Sequence, residues 1–426
     1  MKANIVIVLL FILSINIFSQ PARNNINTEA FYINIIALPT DNKDSIDVFV
    51  YYTFCYNELV FQKTNDNDFF SVPDLEVTFK DNDGITRKRF ISDDTIFANN
   101  YDQIQEKIYY SNSTQFRLAN NDYKIVSKTN NSKYRSNPIE YTISNYYNEN
   151  KIKNIFILDN EHKPFYSNNC VPYDAYSFFV FIPINYINSI NPSNTKYTYT
   201  IEKIENKKNE LSWKHFNKIE NKIDVIENVL FEVKDNKLKI STIENKPIIS
   251  FLATEINIWH YNFTPGKYIL TMANGDTKTE FNFEIKWYNM PQSLLDPVFA
   301  VEQMYLILTN DEYKQIKNGN KNEIFANILN YWKHHDPTPA TEYNEAMAEF
   351  FNRVDYAEIN FRTITQRNGA KSDKGKIYIL NGKPDEIYTN TKDKKTTEIW
   401  FYKKLNKKYI FEVVSVGNYK LVEIDG

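Results

Sequence analysis

Glycine is scarce in this chain, with 9 in 426 residues, and so are histidine, with 5, and cysteine, with 2. Two cysteines exclude a disulfide-built scaffold and a cysteine-rich zinc site. The histidines form one cluster, His334-His335-Asp336. Neighbouring histidines on a helix point about 100° apart and chelate poorly, and there is no HExxH pattern. No charge of one sign prevails: Lys+Arg 50 against Asp+Glu 53 gives a net charge of −3. That balance provides no electrostatic footprint for nucleic acid. No G-x-S-x-G elbow is present to mark a hydrolase nucleophile. The residues therefore point to no metal and no cofactor.

Long apolar runs are also missing. The only one, Ile5 to Leu13 within "MKANIVIVLLFILSINIFSQ", falls short of the roughly 20 residues a transmembrane helix needs. Lys2 before it and small, polar Ser14 and Ser19 after it make residues 1–20 read as a secretory signal peptide. The expected mature protein is exported, periplasmic or outer-membrane associated or secreted, with no transmembrane segment once the signal is removed. An oxidising compartment permits a Cys55–Cys170 disulfide. Both residues lie among strand-like aromatic residues, where buried free thiols are the alternative.

Aromatic residues are abundant, with Tyr 31 and Phe 30, and with Val, Ile and Thr they favour β-structure. Period-2 strands run from Phe31 to about Phe165. "IDVFVYYTF" sets Val48, Val50, Tyr52 and Phe54 on one face, and Asp83-Gly84 marks a hairpin turn. A second β-rich stretch opens near Ser177 and closes with strands punctuated by Pro265-Gly266 and Asn274-Gly275. The stretch between, about Glu202 to Lys246, reads as an elaborated loop or insertion.

After Trp287 the apolar period changes to 3.6. Asp296-Pro297 reads as an N-cap followed by proline at the first helical position. Thr309 with Glu312 reads as a capping box. Ile324, Ile328, Leu329 and Trp332 mark a further helix, and Thr341 is expected to cap the next. Then comes "GAKSDKGKIYILNGKPDEI", which holds Gly369, Gly375 and Gly382, a third of all the glycines. "KIYIL" reads as a strand, Asp385 after Pro384 as the cap of a helical turn, and the remainder as an antiparallel meander.

This region resembles the GWxTD domain family of exported bacterial proteins. The resemblance is carried by "YWKHHDPTPATEYNEAMAEFFNRVDYAEINF", "GAKSDKGKIYILNGKPDEIY" and "EIWFY", and covers roughly Pro265 to Gly426. The name motif stands here as Gly369, Ala370, Lys371, Ser372, Asp373, with Ala370 in place of tryptophan and Ser372 in place of threonine. Gly375, Gly382, Pro384, Asp385 and Trp400 fit the rest of the pattern. The resemblance implies export, β-rich N-terminal domains and this C-terminal module, with no established activity. Tryptophan at that position would bury a large aromatic surface. With Ala370 there, either a neighbour such as Phe361 fills the gap or the loop is looser.

The glycines do not make a phosphate cradle: five residues separate Gly369 from Gly375, and Ile377 occupies the Ser/Thr position. Adjacent Asp385 and Glu386 are poorly placed for paired-carboxylate chemistry. Asp355 and Glu358 share a helix face and could help bind a cation, or simply form a charged surface. The expected architecture is a signal peptide at 1–20, a β-sandwich-like domain at 21–165, a second with a charged insertion at 166–290, and an α+β domain of helices then antiparallel meander at 291–426. The expected function is non-enzymatic interaction with another envelope protein. An enzyme acting on envelope polysaccharide or peptide, and a carbohydrate-binding protein, are the alternatives.

Overall fold

A computed structural model describes residues 31–425, apart from 41, 43, 65–67, 106–107, 130–137, 145–154, 162, 184–196, 205–210, 227–228, 235–236, 243–250, 276, 364–365, 393–394 and 416. The expected signal peptide lies outside the described residues.

The N-terminal part is two facing antiparallel sheets. One is ordered β1 (Phe31–Pro39), β2 (Ser45–Cys55), β5 (Tyr109–Ala119). The other is ordered β7 (Ile139–Ile143), β6 (Tyr123–Thr129), β3 (Leu75–Lys80), β4 (Thr86–Ile91). The β3–β4 hairpin turns at Asp83-Gly84, where Gly84 has φ +78°, a left-handed conformation that suits glycine. Val48, Val50, Tyr52 and Phe54 all enter the core between these sheets. Inside it, the Asp94 carboxylate accepts from Tyr52 Oη (2.7 Å), Tyr110 Oη (2.8 Å) and Asn112 Nδ2 (2.6 Å). Three donors supply what solvent would otherwise provide to a buried charge.

A second pair of sheets follows. One is ordered β8 (Phe156–Leu158), β10 (Ser177–Pro183), β14 (Phe251–Asn257), β13 (Asp224–Ile226). The other is ordered β9 (Cys170–Pro172), β16 (Thr277–Lys286), β15 (Gly266–Asn274), β11 (Thr198–Lys203), β12 (Ile219–Lys222). Among the described strands only β9 pairs in parallel. Among the described residues the stretch from Glu202 to Lys246 is thus largely strand, and two of its strands complete these sheets. A further pair, Val229–Lys234 and Lys237–Thr242, forms a hairpin of its own.

The two sandwiches pack sheet against sheet. Along β1, Ile33, Ile35 and Ala37 face the first core, while Ile36 and Leu38 join Phe156, Leu158, Phe181 and Phe251 in a separate apolar cluster. Because the strand is buried on both faces, its sequence reads as a near-continuous apolar run. Four tyrosines also close this seam. Tyr109 stacks on Tyr166 with ring centroids 4.6 Å apart, and Tyr32 and Tyr166 each meet the edge of Tyr288 at 5.2 Å.

Cys55 and Cys170 do not form the disulfide the sequence allowed, and both are free. Cys55 Sγ donates to Asn57 Oδ1 at 2.9 Å. Burial pushes the Cys170 thiol up.

Helices α1 (Pro297–Met304), α2 (Asn310–Ile316), α3 (Lys321–Lys333) and α4 (Glu345–Asn360) follow β16. Proline stands at the start of α1, and the Thr309–Glu312 capping box opens α2. Asn344, rather than Thr341, caps α4: its side chain accepts from Met347 N–H at 2.8 Å. The capping atom must reach the N2 or N3 amide, and Thr341 stands too far upstream, with its hydroxyl engaged in the preceding turn. The core of the second sandwich continues through Val301, Ile328, Trp332 and Phe351 to Ala370 and Ile379 without a break at residue 290. After α5 (Asp373–Asn381) come β17 (Glu386–Lys392), β18 (Lys395–Tyr402), β19 (Lys407–Ser415) and β20 (Asn418–Asp425), an antiparallel meander in chain order. Among the described residues no helix is long and apolar enough to cross a membrane.

Candidate functional site

The glycine stretch is a tight junction between three pieces of backbone. "KIYIL" is not a strand as its composition suggests; it lies in α5. Ser372 decides this locally. Its Oγ accepts from Gly375 N–H at 3.0 Å and donates to the Gly369 carbonyl at 2.7 Å, so it caps α5 and fixes the turn before it. Such a cap contributes about 1 kcal/mol. Packing supplies the rest: Ile377 and Ile379 enter two different apolar clusters from opposite sides of the helix.

The glycines are required by proximity. A Cβ on Gly369 would stand 2.2 Å from the Ala357 carbonyl oxygen at the end of α4. A Cβ on Gly375 would stand 2.0 Å from the Gly369 carbonyl oxygen. Gly382 ends α5 at φ +78°, with the Arg353 guanidinium against it. Ala370, at the position of the motif's tryptophan, is fully buried in the main core. The loop is therefore not loose. Phe361 stands 5.5 Å from both Tyr378 and Trp400, ring centre to ring centre, and fills the space between α5 and the meander.

The acidic motif residues bind backbone. Asp373 Oδ2 accepts from Leu421 N–H at 2.9 Å and so ties the start of α5 to the last strand. Asp385 Oδ2 accepts from Lys403 N–H at 2.7 Å, while the Asp385 N–H donates to the Phe401 carbonyl at 3.0 Å. Asp385 thus staples β17 to the end of β18, where the sequence suggested a helical cap. Pro384 beside it is buried. The Gly382 carbonyl accepts from Tyr402 Oη at 2.9 Å. Asp355 is likewise structural: its carboxylate accepts from the Gln292 and Ser293 amides, so it does not form a cation site with Glu358. Burial raises its pKa despite these bonds.

The residue that sequence reasoning passes over is Lys374. It occupies the second position of α5, where a lysine ordinarily reaches solvent, yet it is 8% exposed. Its Nζ is 2.8 Å from Glu398 Oε1 and 3.0 Å from the centre of the Tyr419 ring. Trp400 and Phe411 complete the surround at 5.6 and 6.0 Å. Trp400 Nε1 donates to the same Glu398 oxygen at 2.6 Å. Desolvation lowers the lysine pKa, and Glu398 opposes the shift. An ammonium among aromatic faces with one carboxylate is a stable internal pair. It joins α5 to three strands of the meander.

No reaction centre is assembled from these residues. His334 and His335 are exposed at the end of α3, with Nδ1 atoms 2.8 and 2.9 Å from the carbonyl oxygens of Asn330 and Tyr331. Among the described residues no group of three or more His, Cys, Asp and Glu side chains could hold a metal ion. The tryptophans do not form a coplanar platform for sugar stacking. Trp287, Trp332 and Trp400 are buried, Trp213 packs edge-on against Phe325, and Trp259 meets Tyr176 at 87°.

The meander is covered by α5 on the middle of one face only. Trp400 and Tyr409 pair across strands toward α5 and are buried. The neighbouring cross-strand row, Tyr388, Ile399 and Ile410, points the other way, and Tyr388 is 52% exposed. Val414 on the same sheet is 60% exposed. The two outer strands, β17 and β20, each have a partner on one side only.

Residues 266–421 match the model of the GWxTD domain. No curated protein matches the chain.

Proposed function

We propose, for a chain that carries a GWxTD domain at residues 266–421, an exported and non-enzymatic role in which this module binds another envelope protein. One observation carries the reading. The polar motif residues Ser372, Asp373 and Asp385 are all committed to backbone amides, and they hold rigid a sheet whose far face carries exposed Tyr388 and Val414 among polar residues. Groups so engaged are unsuited to proton transfer, while rigid presentation of a partly apolar face suits docking. The apolar N-terminal run Ile5 to Leu13 supports export.

The test has two arms. Mass spectrometry of the native protein reads whether the N-terminus begins after residue 20 and in which fraction the protein is found. An uncleaved cytoplasmic chain would refute export. Affinity capture from the native envelope compares the intact protein with a Tyr388→Glu, Val414→Glu variant. Both exchanged side chains are exposed, so the fold should survive. A partner kept equally by both forms would remove the meander face from the proposal.

A further inference from the structure

The seam between the two sandwiches is not filled everywhere. A cleft of about 300 Å³ opens where β1, β7, β8, the turn at Asn168-Asn169 and β16 converge. Four asparagines line it: Asn34, Asn168, Asn169 and Asn282. Phe156, from the apolar cluster of the seam, is beside them, while the side chains of Ile35 and Phe281 belong to the two sandwich cores.

Asn34 is the residue that calls for an explanation. On the face of β1 that meets the second sandwich, alternation gives Tyr32, Asn34, Ile36 and Leu38. Three of these pack against the other domain. Asn34 is only 5% exposed, and its side-chain amide has no hydrogen-bond partner among the described residues. An apolar residue here would extend the seam. The amide instead faces the cleft.

The chemistry of the walls narrows the ligand. Among the described residues no Lys or Arg lines the cleft and Glu280 does, which disfavours anions there. One carboxylate alone makes a poor cation site. An added peptide strand is blocked along β1: Ile35 N–H donates to Asn168 Oδ1 at 2.8 Å, and the Ile33 carbonyl accepts from Tyr141 Oη at 3.0 Å. What remains is a set of neutral amides beside Phe156, with Asn34 able to donate and accept and Asn168 keeping its Nδ2 donors. Sugar hydroxyls, which also donate and accept, match that set. The volume suits a small ligand, and domain seams are preferred positions for such sites.

We propose that this cleft binds a neutral oligosaccharide through Asn34, Asn168, Asn169 and Asn282. Glu280 accepts from hydroxyls at the mouth. With one carboxylate among the described lining residues, the site binds the glycan without the acid–base pair that cleavage needs. The inference is independent of the module's role in protein docking.

The test titrates the full-length mature chain with maltotriose, cellotriose and chitotriose, observed by saturation-transfer NMR, with trialanine and inorganic phosphate as controls. At least one trisaccharide should give a saturable signal. Asn282 is exposed, so Asn282→Ala should keep the fold and weaken binding about tenfold, and Asn34→Ala should weaken it at least as much. Silence from all three sugars, equal binding by the Asn282→Ala variant, or competition by trialanine at the same concentration would each overturn the proposal.

Discussion

Gly375 lies directly over the carbonyl of Gly369, so closely that a β-carbon on Gly375 would stand 2.0 Å from that oxygen. The obstacle is backbone at the turn that Ser372 fixes, which cannot swing away as a flexible side chain can. Gly375→Ala should therefore destabilise the protein by about 3 kcal/mol, the range of overpacking in a closed site. Gly417 is the control. It has φ +73° with nothing within 4 Å of its added Cβ, so Gly417→Ala should cost only about 1 kcal/mol of backbone strain. Urea denaturation of both variants decides; equal losses would show that proximity is not the reason for Gly375.

Lys374 and Glu398 should behave as a unit. Removing one partner leaves the other charge buried, at a cost of about 3–5 kcal/mol. Lys374→Met and Glu398→Gln are each expected to destabilise strongly, and Lys374→Met with Glu398→Leu to recover much of the loss. A double variant as unstable as the sum of the single ones would mean that the two residues act separately.

Lys203 supplies a pH signature. Its ammonium donates to Thr264 Oγ1 at 2.5 Å and the Pro265 carbonyl at 3.0 Å, and burial pushes its pKa down to about 8. In the unfolded chain the pKa is about 10.4. Between these values the unfolded state binds more protons, so stability from this group rises with pH across the window and is level below it. Relative to Lys203→Met, the wild type should gain about 2 kcal/mol from pH 7.5 to 10, discounted for partial exposure. A pH-independent difference between the two would disprove the shift.

Both thiols should be free in the purified native protein. Intact mass under non-reducing conditions should show two unpaired cysteines, reacting slowly with a thiol reagent when folded and quickly in denaturant. A mass lower by two hydrogens would demonstrate the Cys55–Cys170 bond that the structure lacks.

Local signals were legible in the sequence. The Asp83-Gly84 hairpin, proline at the start of α1 and the Thr309–Glu312 box each depend on residues a few positions apart. "KIYIL" misleads because its isoleucines and tyrosine favour strands, while a cap at Ser372 and packing on both sides impose a helix. Lys374 reads as a surface lysine because its carboxylate and aromatic partners arrive 24 to 45 residues later. The asparagine cleft gathers five separate segments, and no single one carries a pattern. Length and the β-to-α change of period do indicate several β-sheets followed by helices and a meander, because those rest on averages over many residues.

The continuous core has a consequence for how such a segment is passed between proteins. The matched span starts at Gly266, the first residue of β15, whose neighbour β11 ends at Lys203. Trp287 and Tyr343 within the span close around Tyr173 from outside it. A copy moved elsewhere would arrive with an unpaired sheet edge and half an apolar interior, and would need a host able to provide both. Residues 266–421 produced alone are therefore expected not to fold, and heating the whole chain should melt the second sandwich and the helices in one transition.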